Sequence, residues 1–218
     1  AEFQNVHSSV VLTIPPVFAH NCISGAEEML DSMVMKYQPA LGGVVLAHTN
    51  TRFLNYAGHI KAESPFATWD VGFDATVWRP EIGMKLTGIV SLCSPDHISL
   101  LLHQTFNVSI PRHHIPIDQW EFEYGAAEND PEFGVSLESE EVVNEMEAGA
   151  ENSDRGRWIH KLTAEPVGGR RGRLEFTVVG LTIANQMLSL IGSIQPDPFS
   201  PEHVPHPVRS QPMPTEND

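Results

Sequence analysis

Cysteine is nearly absent, since Cys22 and Cys93 are the only two in 218 residues. Two thiols cannot build a disulfide framework, and they exclude every zinc site made from several cysteines. Long apolar runs are missing too. No stretch approaches the ~20 residues that cross a bilayer as a helix, and no charged-then-apolar leader opens the chain. The expectation is a soluble intracellular protein without membrane contact, processed or begun inside a longer precursor, because its first residue is alanine. Basic residues are scarce: 13 Lys and Arg stand against 28 Asp and Glu, a net charge of −15 that excludes a uniformly basic nucleic-acid coat. Chemical motifs are scarce as well, with no glycine-rich phosphate loop, HExxH, GxSxG or CxxC. The eleven histidines are scattered, and on a strand the adjacent His113 and His114 would point to opposite faces. No cofactor, metal site or catalytic residue is expected, and hence no enzyme activity of the chain itself.

What is present is unevenly placed. Twelve acids and no Lys or Arg lie between Glu121 and Asp154, and the last 23 residues add four acids and one arginine. The remaining body is neutral. Within it, Arg155, Arg157, Lys161, Arg170, Arg171 and Arg173 form a basic strip opposed by Glu165 alone. The acidic stretch has few aromatics and no periodicity, and its burial could not offset roughly 1–2 kcal/mol of ordering entropy per residue. It therefore predicts a solvated, disordered insertion at about 125–155. The proline-rich tail 196–218 predicts an extended arm.

Two folded segments remain. In the first, VHSSVVLTI reads as a strand stopped by Pro15 and Pro16. Ser24 and Glu27 have capping-box spacing, and Ala26, Leu30, Met33, Val34 and Tyr37 recur at helical spacing as far as Pro39. Gly42 and Gly43 precede a short buried strand VVLA, and alternation from Trp69 to Val77 predicts another strand. The helix face Met29, Met33, Tyr37 and the strand Val44, Val45, Leu46 offer more apolar surface than so small a unit can enclose, so these six are candidate partner contacts. From about residue 79, several short strands with glycines at bends predict a small closed barrel, with the acidic insertion between its third and fourth strands.

The segments GGVVL, VWRPEIGMKLTGIV, SPDHISLLLHQTFNVSIP and LEFTVVGLTIANQMLSLIGSI closely resemble, in order and spacing, the larger stalk subunit of RNA polymerase I. That family is the counterpart of the seventh RNA polymerase II subunit and of the larger stalk protein of the archaeal polymerase. The resemblance runs from about Val10 to Ile194. It implies an α+β chain: a truncated-RNP-like tip domain over 1–78 that docks on the polymerase core, then an OB/S1-like β-barrel over 79–195. It also implies a small stalk partner subunit, a polymerase I initiation factor as a further partner, possible contact with nascent RNA, and a place in the nucleus and nucleolus. The family often has a long acidic tail, where this sequence has a short proline-rich one. Because OB and S1 surfaces stack bases on aromatic rings, the resemblance makes His103, Phe106, Arg112 and His113 candidate RNA-binding residues. Lys161, Arg170, Arg171 and Arg173 of the basic strip join them as phosphate contacts. A free-standing OB-fold protein of RNA processing or translation is the other reading; it would have no need of the N-terminal unit.

Overall fold

The computed structural model describes residues 1–124 and 156–201. The acidic insertion and most of the tail, and with them the disorder and extended-arm expectations, lie outside the described residues. Strand β1 runs Phe3–Ile14, and its alternation puts Val6, Val10, Leu12 and Ile14 on one face, with Asn5, His7, Ser9 and Thr13 on the other. Pro15 and Pro16 end it, because proline offers no N–H to continue a ladder. Helix α1 spans Cys22–Asp31, and its N-cap is Asn21, whose side chain accepts a hydrogen bond from the Ser24 N–H at 3.5 Å. The expected Ser24–Glu27 capping box is therefore corrected: Ser24 already lies inside the helix. The helix also stops sooner than its apolar spacing predicts. Met35 turns left-handed (φ 63°) and donates its N–H to Val45 O at 2.7 Å, so Tyr37–Gln38 become strand β2 rather than a last helical turn. A non-local backbone pair outweighs the weak local propensity of that stretch.

Strands β3 (Gly43–Phe53), β4 (His59–Ile60) and β5 (Ala67–Trp78) complete an antiparallel sheet in the order β1-β5-β3-β2, with β4 also on β5. Val71, Phe73, Ala75 and Val77 of β5 pack with Leu12, Ile14, Ala26 and Leu30 in one core. Each buried Val, Leu, Ile or Phe side chain among these contributes about 1.5–3 kcal/mol, and the two alanines less.

The second core fills a closed barrel of β6 (Lys85–Cys93), β7 (His97–Leu102), β8 (Phe106–Pro111), β11 (Arg173–Ala184) and β12 (Met187–Ser193). Its strand order is β11-β12-β8-β7-β6, with β12 and β8 the parallel pair. Strict alternation sends Ile98, Leu100, Leu102, Phe106, Val108 and Ile110 inward. The segment around Trp158 does not enter the barrel wall. It forms β10 (Arg157–His160) and pairs with β9 (Trp120–Glu123) in a two-stranded ribbon whose Trp158 is buried against the barrel core. The chain is thus mostly β, with one α-helix and twelve strands among the described residues.

Candidate nucleic-acid interface

Where the sheet meets the barrel, Trp78 and Val44 of the sheet belong to the barrel's core. Trp78 is fully buried and stacks on Phe106 with ring centroids 3.7 Å apart and planes 16° apart. Its indole N–H donates to Glu2 Oε2 at 3.1 Å, and the same oxygen meets His103 Nε2 at 3.2 Å. Tyr37 N–H donates to Gln186 O at 2.7 Å, tying β2 to the β11–β12 turn.

This packing decides several of the sequence-derived candidates. Phe106 faces inward at 8% exposure with one ring face against Trp78, so it offers no surface for a base, and its candidacy as a stacking residue is corrected. The reason is register: Phe106, Val108 and Ile110 share the inward parity of β8. Val44 and Val45, each 1% exposed, are likewise corrected from partner contacts to core. Met29 and Met33 are half-buried on the helix-side core, and Tyr37 and Leu46 are half-buried on the barrel side. Exposed apolar side chains that the sequence pattern passed over sit beside this junction: Met35, Ile183 and Met187. Ile183 lies in the exposed last turn-ward stretch of β11, past the register shift after Val178, and Met187 has the outward parity of β12, whose Leu188 and Leu190 face inward.

His113 is exposed and His114 buried, on a 3-10 turn (Arg112–His114) rather than a strand, with ring centroids 4.6 Å apart. Arg112 and His113 therefore lie at the far end of β8 and line neither groove described below. The basic strip is divided by its partners. Arg157 is paired with Glu123 at 2.8 Å, locking the two ribbon strands together. Lys161 donates to Ile117 O at 2.7 Å. Arg170 and Arg171 stand exposed on a 3-10 turn flanked by Gly168, Gly169 and Gly172, all left-handed. Gly168 is needed there, because a Cβ would lie 2.7 Å from the Gly172 carbonyl carbon. Arg173 opens β11 beside them, and one shallow groove of about 470 Å³ brings it together with His103, between Ile89 and Leu101. A second groove of about 500 Å³ shares Arg173 and is walled by Trp120, His160 and the Gly168–Gly169 turn. Trp120 was not marked by its sequence context, since a lone Trp before an acidic run reads equally well as core.

The family described as the RPA43 OB domain in RNA Pol I matches residues 80–195, which span the whole barrel and its ribbon. The chain is 40% identical over 111 residues to the DNA-directed RNA polymerase I subunit rpa43 of Schizosaccharomyces pombe, a stretch covering 51% of this chain and 64% of the relative. It is 31% identical over 111 residues to the human DNA-directed RNA polymerase I subunit RPA43, covering 50% of this chain and 33% of that protein. A probable subunit of the same name from Dictyostelium discoideum is 31% identical over 114 residues, 52% of this chain and 32% of the relative. The matched stretch spans less than two thirds of the length of each of these relatives.

Proposed function

Because the chain belongs to the family of the RPA43 OB domain in RNA polymerase I, we propose that it is a non-catalytic stalk subunit of DNA-directed RNA polymerase I, supporting ribosomal RNA synthesis in the nucleolus. The observation that carries this reading is the match over residues 80–195, the whole of a closed barrel onto which a second folded unit is packed through Trp78. In this reading residues 1–78 are the tip domain, of truncated-RNP type, that docks on the polymerase core. Residues 79–195 are the OB domain projecting from it, and 196–218 are a tail. The small stalk partner covers the apolar side chains beside the Tyr37–Gln186 hydrogen bond, with Met35, Ile183 and Met187 replacing the buried Val44 and Val45 as contacts. What supports this placement is that the three stand exposed near one another in the chain's path around that bond, since a contiguous exposed apolar patch marks a protein contact. The initiation factor and nascent RNA are further partners of the OB domain.

Purification of the tagged chain from cells tests this. A many-subunit polymerase with a small partner is the expected companion set. RNA alone, without polymerase, would replace this reading with a free-standing OB-fold RNA-binding protein.

A further inference from the structure

Three serines stand directly before a proline: Ser64, Ser94 and Ser200. Proline pushes the residue before it toward extended backbone, the form in which a kinase cleft holds its substrate. Folding makes the three unequal. Ser94 lies in the β6–β7 turn, its N–H donating to His97 O at 2.9 Å and its carbonyl accepting the Trp158 indole N–H at 2.8 Å. Opening that turn would pull Trp158 from the barrel core. Ser200 is half-buried, between Asp197 and Glu202. Ser64 and Pro65 are both exposed, on the loop between β4 and β5. The Ser64 N–H donates to Lys61 O at 3.0 Å within one turn, and its hydroxyl accepts from Phe66 N–H at 3.4 Å. β4 itself is held by two residue pairs, His59–Thr68 and Ile60–Ala67, so the loop opens locally without disturbing either core. The same stretch, 54–66, exposes Leu54, Tyr56, Ile60 and Phe66, and its two formal charges, Lys61 and Glu63, cancel. A neutral loop with four exposed apolar side chains is suited to burial against protein.

We propose that Ser64 is a phosphorylation site for a proline-directed serine/threonine kinase, and that its phosphate releases this loop from a protein contact. The proposal rests on the reading that residues 1–78 dock on the polymerase core, and it names a control of that docking. In the transfer, Ser64 Oγ attacks the γ-phosphorus of ATP and the bond to the β–γ bridging oxygen breaks. ADP leaves with that electron pair, and the hydroxyl proton passes to the kinase's catalytic carboxylate. The product carries a charge of about −1.5 to −2 at neutral pH. It stands beside Glu63, with no Lys or Arg besides Lys61 in the stretch 54–66 to receive it. Burying that charge among apolar side chains is opposed by like-charge repulsion and by desolvation.

The test incubates the full chain with ATP and a cyclin-dependent kinase, and maps the phosphorylated serines by mass spectrometry. The native chain should be modified at Ser64 with Ser94 protected, and the heat-denatured chain at both. A native chain without phosphate at Ser64, or with Ser94 modified equally, overturns the proposal. A second arm recovers tagged chains from cells and quantifies the polymerase core that accompanies them. Ser64→Glu should bring down about tenfold less core than the native chain, and Ser64→Ala at least as much as the native chain. Rebinding of the kinase-treated native chain to polymerase stripped of its stalk gives the same readout without a substitution, so a folding defect in Ser64→Glu leaves the measurement intact. Equal core binding by the phosphorylated and untreated chains overturns the switch. Selective modification of Ser64 in a chain that never brings down polymerase, whichever residue stands at 64, sinks the docking reading and leaves the modification site standing.

Discussion

Phe106→Ala separates a packing role from a ligand role at the seam between the two folded units. The ring is 8% exposed and stacks on a fully buried Trp78 at 3.7 Å, so truncation opens a cavity under the indole. Buried Phe→Ala changes cost about 3–5 kcal/mol, of which roughly 0.5–1.5 kcal/mol belongs to the aromatic pair. For a fold of this size each kcal/mol shifts the melting temperature by roughly 2–4 °C, so a fall of roughly 6–20 °C is expected. Phe106→Leu, which keeps most of the volume, should cost about 1 kcal/mol. The loss should spread to the sheet, because Trp78 is the last residue of β5 and its indole N–H holds Glu2 beside β1. Thermal melts followed by near-ultraviolet circular dichroism, with RNA affinity measured well below the melting point, check both effects. RNA affinity of the folded variant should equal that of the native chain. An unchanged melting temperature together with weakened RNA binding would refute the reasoning and return Phe106 to the binding surface.

Gly43 sits where a Cβ would lie 2.5 Å from the Trp78 carbonyl oxygen, so Gly43→Ala forces β3 away from β5. A loss of about 1–3 kcal/mol is expected in a denaturant melt, and a neutral result would show that the strand has room to shift. Hydrogen bonds from Asn50 and then His7 hold the Asp74 carboxyl below its ordinary value of 3.8. A depressed carboxylate stabilises the fold fully above pH 3.8 and loses that contribution as pH falls through the lowered value. The melting-temperature gap between the native chain and Asp74→Asn should therefore close below about pH 3.8, and a gap constant from about pH 6 to about pH 3 would refute the linkage. Deleting residues 126–154 removes ten acids from between Glu123 and Arg157, the ion pair at the ribbon's end. Charges within the ~8 Å Debye length compete with RNA phosphates, so the deletion should tighten RNA binding at low salt and matter less as salt rises. Equal affinities across the salt series would make the segment a spacer.

The barrel was legible in the sequence because its strands obey a local rule. Period-2 alternation in HISLLL and FNVSIP needs no knowledge of a partner, since the backbone pleat alone sends Ile98, Leu100, Phe106 and Val108 to one side. Paired prolines after Ile14 likewise announced where β1 ends. Tertiary structure decided whatever depends on a distant backbone group. Helical spacing continues through Met33, Val34 and Tyr37, yet the Val45 carbonyl captures Met35 N–H, Met33 and Val34 become a turn, and Tyr37–Gln38 enter a strand. Phe106 read as a surface candidate; it shares the inward parity of Val108 and Ile110, and Trp78, arriving from the other unit, closes its last face. The six bases from Arg155 to Arg173 look equivalent in sequence. Of the five that lie in the described residues, folding assigns Arg157 to Glu123 and Lys161 to a carbonyl, leaves Arg170 and Arg171 exposed on a turn, and sets Arg173 in the groove lined by Trp120, because charge counts are local while charge partners are set by the path of the whole chain.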